Sequence, residues 1–181
     1  MGKKIVVLAG SPRIGGNTDL LCDEMIRGAE ESGNEVTKFY LAQKKIHPCI
    51  GCISCRQTEN KCVFREQDDF EEIIQAVIAA DVLVIASPVY FYGLTAQMKT
   101  AMDRFFAREA EVKNMTAYFV TTAAAPAEEY IETAKACFRG FISCFENVRE
   151  SGIVAGLGTR EKGEVKTSPA MQEAYDLGKR I

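Results

Sequence analysis

The 181-residue sequence has no long apolar run, no cluster of basic residues and no Pro/Ser-rich linker. The first apolar stretch follows Met1 to Lys4 and is too short for a signal-peptide core or a membrane span. The net charge is only -3 and Lys and Arg are scattered, so we expect neither nucleic acid nor a membrane as partner. These absences predict one cytoplasmic domain over residues 1–181, with small molecules or other proteins as partners.

Two common nucleotide fingerprints are also missing. The chain has neither the G-x-G-x-x-G spacing of dinucleotide sites nor the Gly-Lys-Ser/Thr ending of a triphosphate loop. The loop from Gly10 to Thr18 instead places hydroxyls, glycine amides and an arginine at a helix N-terminus, where free N–H groups and the helix dipole favour a phosphate. A monophosphate fits this loop better than ATP or NAD, and a capped turn without ligand is the alternative.

Apolar runs and amphipathic stripes alternate along the chain. Strands are predicted at about 5–9, 36–41, 82–86, 117–121 and 153–155. Helices are predicted to about residue 33 with Asn17 or Thr18 as the N-cap, from Asp68 or Asp69, from about Leu94, from about Pro126 to residue 145, and from about Ser168. Five strands alternating with helices predict a parallel, doubly wound sheet.

In such a sheet, ligands bind beyond the carboxyl ends of the strands, so the loops after strands one, three and four are expected to form one site. The second of these loops, Ser87 to Gly93, contains three consecutive aromatic residues, at least one of which is available to a planar ligand. An interface patch is the alternative. The third, Thr121 to Pro126, offers small side chains and exposed amides that can bind the edge of a heterocycle.

Seven cysteines are present, an odd number that fits a disulfide framework poorly. Cys49, Cys52, Cys55 and Cys62 form a C-x2-C-x2-C-x6-C run, a spacing that can hold an iron–sulfur cluster. Zinc and free or redox-active thiols are the alternatives. The lone His47 is interpreted as an exposed loop residue, and we expect the other three cysteines to pack in the core. They are Cys22, Cys137 and Cys144.

The first loop, the Cys49 to Asp69 segment and the stretch Ser87 to Arg104 together resemble the NADPH-dependent FMN reductase family, and within it the iron–sulfur flavoprotein branch. The resemblance implies a flavodoxin-like, three-layer, doubly wound parallel sheet of five strands in the order 2-1-3-4-5. It also implies FMN as cofactor. The implied phosphate ligands are Ser11, Arg13, Asn17 and Thr18. The implied ring contacts are Pro88, Val89, Tyr90, Phe91, Tyr92, Gly93, Thr122 and Ala123.

The same resemblance implies one 4Fe-4S cluster per chain, held by the four-cysteine run in a loop at about 46–66, and a homodimer or homotetramer. The predicted function is an FMN-dependent oxidoreductase or electron-transfer flavoprotein, with NAD(P)H or a ferredoxin-type donor and a small-molecule or protein acceptor. An iron-free NAD(P)H-dependent quinone, azo or flavin reductase is the alternative enzyme. A thiol-based redox-sensing flavin-binding module is the alternative of another class. No residue is identified as a catalytic acid, base or nucleophile.

Overall fold

A computed structural model describes residues 2–181. Its single five-stranded sheet has all neighbouring strands parallel, in the order β2-β1-β3-β4-β5. The predicted fold class and strand order are therefore confirmed. The strands are β1 (Lys4–Ala9), β2 (Glu35–Tyr40), β3 (Val82–Pro88), β4 (Lys113–Ala123) and β5 (Glu146–Leu157).

Five α-helices cover the two faces of this sheet. They are α1 (Asn17–Glu31), α2 (Phe70–Ile78), α3 (Ala96–Arg104), α4 (Glu132–Ile142) and α5 (Ala170–Lys179). Because successive strand residues point to opposite faces, β1 contributes to two separate cores. Val6 and Leu8 pack in the core that α2, α3 and α4 share. Ile5 and Val7 pack in the other core, with α1 and α5.

The apolar runs of β1 and β3 are buried on both faces, as expected for central strands of a parallel sheet. Hydrogen bonds from Thr95 connect the ends of these two strands. The Thr95 hydroxyl donates to the Gly10 carbonyl at 2.7 Å, and the Thr95 amide donates to Ser87 Oγ at 3.0 Å. Thr95 also caps α3, accepting from the Met98 amide at 3.3 Å. These bonds fix the loops after β1 and β3 beside each other.

The fourth helix begins later than the sequence predicts. It starts at Glu132, after a 3₁₀ turn at Glu128–Ile131, and not near Pro126. The Ala123 and Ala125 carbonyls accept hydrogen bonds from the amides that follow β5, Thr159 at 2.9 Å and Gly158 at 3.0 Å. This pairing keeps the chain non-helical after β4, so Pro126 lies in a bend.

One of the three cysteines expected in the core lies outside it. Cys22 is buried as predicted, Cys137 is half-buried and packs against the core that α2, α3 and α4 share, and Cys144 is exposed. Since α4 ends at Ile142, Cys144 lies beyond the helix and does not share its inward face. Along residues 2–181, no helix combines the length and the apolar composition that a membrane crossing requires.

Candidate functional site

A cavity of about 180 Å³ opens at the carboxyl ends of the central strands. Its walls come from the loops after β1, β3, β4 and β5, which is the position expected for a ligand in an open parallel sheet. Eight residues predicted for a cofactor line it: Ser11, Arg13, Asn17, Thr18, Pro88, Val89, Tyr90 and Thr122. Four others predicted do not: Phe91, Tyr92, Gly93 and Ala123.

The loop after β1 brings an open helix end to the cavity. The N-cap of helix α1 is Gly16, and neither Asn17 nor Thr18 caps the helix as predicted. Because glycine has no side chain to act as a cap, the N–H groups of the first turn are left for water or a ligand. Gly15 has φ +67° and its amide donates to Asp19 Oδ2 at 2.6 Å, which holds the turn that precedes the helix. The helix dipole and the N–H groups of the first turn of α1 make this end of the cavity favourable to an anion, whereas the Gly15 amide is already bonded to Asp19.

Arginine side chains flank the same cavity. Both Arg13 and Arg160 are exposed, and Arg13 Nη1 donates to the Arg160 carbonyl at 3.3 Å. The Arg13 amide also donates to Ser11 Oγ at 3.2 Å, which fixes the serine hydroxyl beside the loop. Two guanidinium groups near a helix N-terminus reinforce its preference for negative charge.

Asn17 lines the cavity, but its side-chain amide is engaged by the chain after β5. Nδ2 donates to the Glu161 carbonyl at 2.8 Å, and Oδ1 accepts from the Gly163 amide at 2.8 Å. This side chain therefore positions the loop that carries Arg160. A contact between Asn17 and a phosphate stays a prediction. The backbone N–H of Asn17, in the first turn of α1, takes no part in these side-chain hydrogen bonds.

A buried hydroxyl pair joins α1 to β4 at the wall of the cavity. Thr18 Oγ1 and Thr122 Oγ1 lie 2.7 Å apart, and either can donate. Both residues are almost fully buried. The pair satisfies two polar groups next to the predicted ligand position and sets the distance between the helix N-terminus and the end of the strand.

The aromatic loop makes a tight turn between Tyr90 and Gly93, which exchange two backbone hydrogen bonds of 3.0 Å. Its central residues, Phe91 and Tyr92, have φ +48° and +65°, a left-handed conformation that bulky residues rarely adopt. Phe91 consequently projects into solvent, and Tyr92 stacks on Tyr130 with ring centroids 5.9 Å apart. Only the first part of this loop reaches the cavity.

Gly16 and Ala124 also line the cavity and belong to loops predicted for the site, whereas sequence reasoning missed Thr159 and Arg160. These two residues follow β5, and the Thr159 hydroxyl donates to the Gly156 carbonyl at 2.9 Å. The rule that ligands bind beyond the carboxyl ends of parallel strands could have identified these residues, because the fifth strand ends at the same edge of the sheet as the others.

All four cysteines of the C-x2-C-x2-C-x6-C run line a second cavity, of about 50 Å³. Cys49 and Cys52 are exposed, Cys62 is half-buried and Cys55 is buried. Gly51 and Ile53 have positive φ, +64° and +59°, and this reversal turns the chain around the cavity before the 3₁₀ turn at Ser54–Arg56. The remaining walls are largely apolar and include Val63, Phe64, Phe106 and Ala107.

The thiols surround this space and do not converge on one point. Within residues 2–181, no three His, Cys, Asp or Glu side chains form a group that could hold a metal ion. His47 is half-buried, contrary to its predicted exposure, because it stacks on Phe64 with centroids 4.8 Å apart. Hydrogen bonds from the side chain and backbone of Ser54 lower the pKa of Cys52, which favours its thiolate.

A buried ion pair ties both ends of the cysteine loop to α3. Arg104 binds Asp68 and also donates from Nη1 to the His47 carbonyl at 2.8 Å. Asp68 accepts from the His47 amide at 2.9 Å and from the Phe70 amide at 3.1 Å. Burial by itself raises the pKa of Asp68, but Arg104 and these amides outweigh it and hold the pKa below its ordinary value.

The sequence matches a known family and several curated proteins. The family model described as NADPH-dependent FMN reductase matches residues 3–139. An iron-sulfur flavoprotein of Methanocaldococcus jannaschii is 44% identical over 101 residues, which are 56% of this chain and 51% of that protein. An iron-sulfur flavoprotein of Archaeoglobus fulgidus is 42% identical over 101 residues, 56% of this chain and 44% of that protein. The chain thus spans about half the length of the curated relatives it matches.

Solved structures share the fold at low sequence identity. The NAD(P)H:quinone oxidoreductase from Methanothermobacter marburgensis superimposes with a TM-score of 0.77 at 15% identity, over 99% of this chain and 96% of that chain. Such identity is evidence for the architecture alone. It agrees with the order of the five strands and with the two helical layers.

Proposed function

The chain belongs to the NADPH-dependent FMN reductase family, and on that premise we propose that it is an FMN-dependent oxidoreductase or electron-transfer flavoprotein. The observation that carries the proposal is the strand-end cavity, which has an uncapped helix N-terminus and arginines at one side and Pro88 to Tyr90 at the other. FMN has a phosphate at one end and a planar ring at the other. The cavity offers matching surroundings for both.

The residues of the cavity have separate proposed roles. Ser11, Arg13 and the first amides of α1 bind the phosphate, and Arg160 adds a second positive charge at the mouth. Pro88, Val89 and Tyr90 flank the ring, while Thr122 and Ala124 border it from the end of β4. The flavin, when bound, supplies the electron-transfer chemistry, and the protein supplies binding and orientation.

The test is a comparison of FMN with riboflavin, which lacks the phosphate. We expect the protein to bind FMN at least a hundredfold more tightly, since charge-assisted hydrogen bonds to a phosphate each contribute about 1.5–3 kcal/mol. Isothermal titration of protein stripped of flavin measures both affinities. Equal affinities for the two ligands would contradict the assignment of the α1 terminus to the phosphate.

A second proposed feature is an iron–sulfur cluster held by Cys49, Cys52, Cys55 and Cys62. The four thiols around one apolar cavity support it, because a cluster takes one thiolate on each of several iron atoms, whereas zinc needs all its ligands at a single point. Anaerobic purification followed by iron and sulfide analysis tests it, with about four iron atoms per chain expected. Flavin without iron would favour the iron-free reductase.

The donor, acceptor and assembly also stay proposals. NAD(P)H and a ferredoxin-type protein are the candidate donors, and their rates of flavin reduction in rapid mixing separate an enzyme from a carrier. The thiol-based redox-sensing alternative predicts reversible oxidation of the four cysteines without turnover. The expected homodimer or homotetramer is measured by light scattering, and the cytoplasmic location stays a prediction.

A further inference from the structure

Arg104 forms the inner wall of the cysteine cavity. It is the last residue of α3, and its side chain is only 1% exposed. Asp103, Phe106 and Ala107 from the same stretch line the cavity beside it. The Arg104 guanidinium stays charged, because it does not lose its proton in proteins, and the buried Asp68 carboxylate balances that charge in an otherwise largely apolar wall.

One edge of the Arg104 guanidinium is hydrogen-bonded to residues of the chain. Nη1 binds Asp68 and the His47 carbonyl, and Nη2 lies 3.4 Å from Asp68 Oδ1. The rings of Phe64 and Phe70 lie against it, with centroids 5.4 Å and 5.0 Å from Cζ. The planar fork allows this edge to be fully engaged while Nε–H points elsewhere.

Nε has no partner. Among residues 2–181, it is the buried side-chain nitrogen or oxygen atom that makes no hydrogen bond. A buried donor without an acceptor is unfavourable, and such groups in native proteins commonly mark a ligand or a functional site. The neighbouring cavity is lined by four cysteines, whose sulfur atoms can accept hydrogen bonds, most strongly as thiolates. None of these four sulfur atoms accepts a hydrogen bond from Nε in this structure.

We propose that Arg104 donates a hydrogen bond from Nε to a sulfur atom of the group bound by Cys49, Cys52, Cys55 and Cys62, and so raises its reduction potential. This inference rests on the iron–sulfur cluster proposed above. Reduction adds one electron to the group and leaves every bond to the protein intact. Its extra negative charge is stabilised by the N–H donor, so the reduced form gains more than the oxidised form.

The nearby Arg108 has no unpaired Nε–H of this kind. Arg108, four residues later, satisfies Nε on Glu111 at 2.8 Å and Nη1 on Glu71 at 2.9 Å, and it does not line the cavity. It is a matched control, because the same change to Lys there removes an ion-paired guanidinium without removing a donor to the cysteines.

The experiment compares Arg104→Lys with Arg108→Lys and the wild type, all purified anaerobically. Iron and sulfide per chain are measured first, and the reduction potential is then measured by dithionite titration with electron paramagnetic resonance. Lys keeps the charge but not the Nε donor. We expect Arg104→Lys to disfavour one-electron reduction roughly tenfold, a shift of about 59 mV to lower potential, and Arg108→Lys to leave the potential unchanged.

A second measurement needs no variant. Isotope-labelled arginine in the wild type gives a nitrogen hyperfine coupling in pulsed resonance spectra of the reduced group if Nε–H bonds to it. Two results would overturn this inference without affecting the proposed cluster. One is a wild-type protein that contains iron but shows no such coupling, and the other is an Arg104→Lys protein with full iron content and an unchanged reduction potential. A wild type that contains flavin but takes up no iron overturns the proposed cluster, and this inference with it.

Discussion

The strand-end cavity and the cysteine cavity are built in different ways. The first lies where parallel strands end, and its walls are largely loops held by backbone hydrogen bonds and the Thr18–Thr122 pair. The second lies in a long irregular loop whose two ends are joined to α3 by the buried Arg104–Asp68 pair. The difference indicates that the first site depends on the sheet and the second on a few side chains.

The largest effect expected is the loss of iron on changing one cysteine. Cys55→Ser removes the buried thiol, and we expect iron per chain to fall to background while FMN affinity stays unchanged, because the two cavities have no residue in common. Iron analysis and flavin titration measure both. Cys144→Ser, at an exposed thiol outside the cavity, is the control. A parallel loss of FMN would show that the cavities are not independent.

Asp68→Asn tests the tie between the cysteine loop and α3. It leaves the Arg104 charge buried without its partner, so the free energy of unfolding is expected to fall by about 3–5 kcal/mol. Urea unfolding followed by circular dichroism measures this. Asp23→Asn, at a carboxylate that is 54% exposed and pairs with Lys38, is the matched control, with a loss below about 1 kcal/mol. Equal losses in the two variants would mean that the buried ion pair contributes no more to the free energy of unfolding than the exposed one.

Arg13→Ala tests the charge at the strand-end cavity. We expect the FMN dissociation constant to rise about tenfold, or about 1.4 kcal/mol, and riboflavin binding to stay the same, because riboflavin lacks the phosphate that Arg13 is proposed to bind. Fluorescence titration of both flavins measures the effect. Arg27→Ala, on the exposed side of α1, serves as the control. Unchanged FMN affinity in the Arg13 variant would remove that residue from the phosphate site.

The smallest effect concerns the Thr18–Thr122 hydroxyl pair. Thr18→Val leaves the second hydroxyl buried without this partner, and we expect the free energy of unfolding to fall by about 1 kcal/mol. The double change with Thr122→Val is expected to recover part of that loss, since neither polar group is then unsatisfied. Urea unfolding of the single and double variants measures the coupling. Additive losses would contradict the pairing.

The sequence predicts part of the fold and part of the candidate site. The alternation of strands and helices was readable because apolar residues recur with the periods of the two structures. The convergence of Ser11, Tyr90 and Thr122 on one cavity followed from the rule for parallel sheets. The positions of Phe91 and Tyr92 were not readable, because their left-handed turn is specified by neither composition nor period.

The sequence by itself determined the two-faced burial of the central strands and the spacing of the four cysteines. Each of these is a local property of neighbouring residues. Only the tertiary structure decided that Asn17 holds the loop after β5 and that Arg104 meets Asp68, 36 residues away in the chain. No local pattern records such pairings, because packing brings distant side chains together only after the sheet and its helices have assembled.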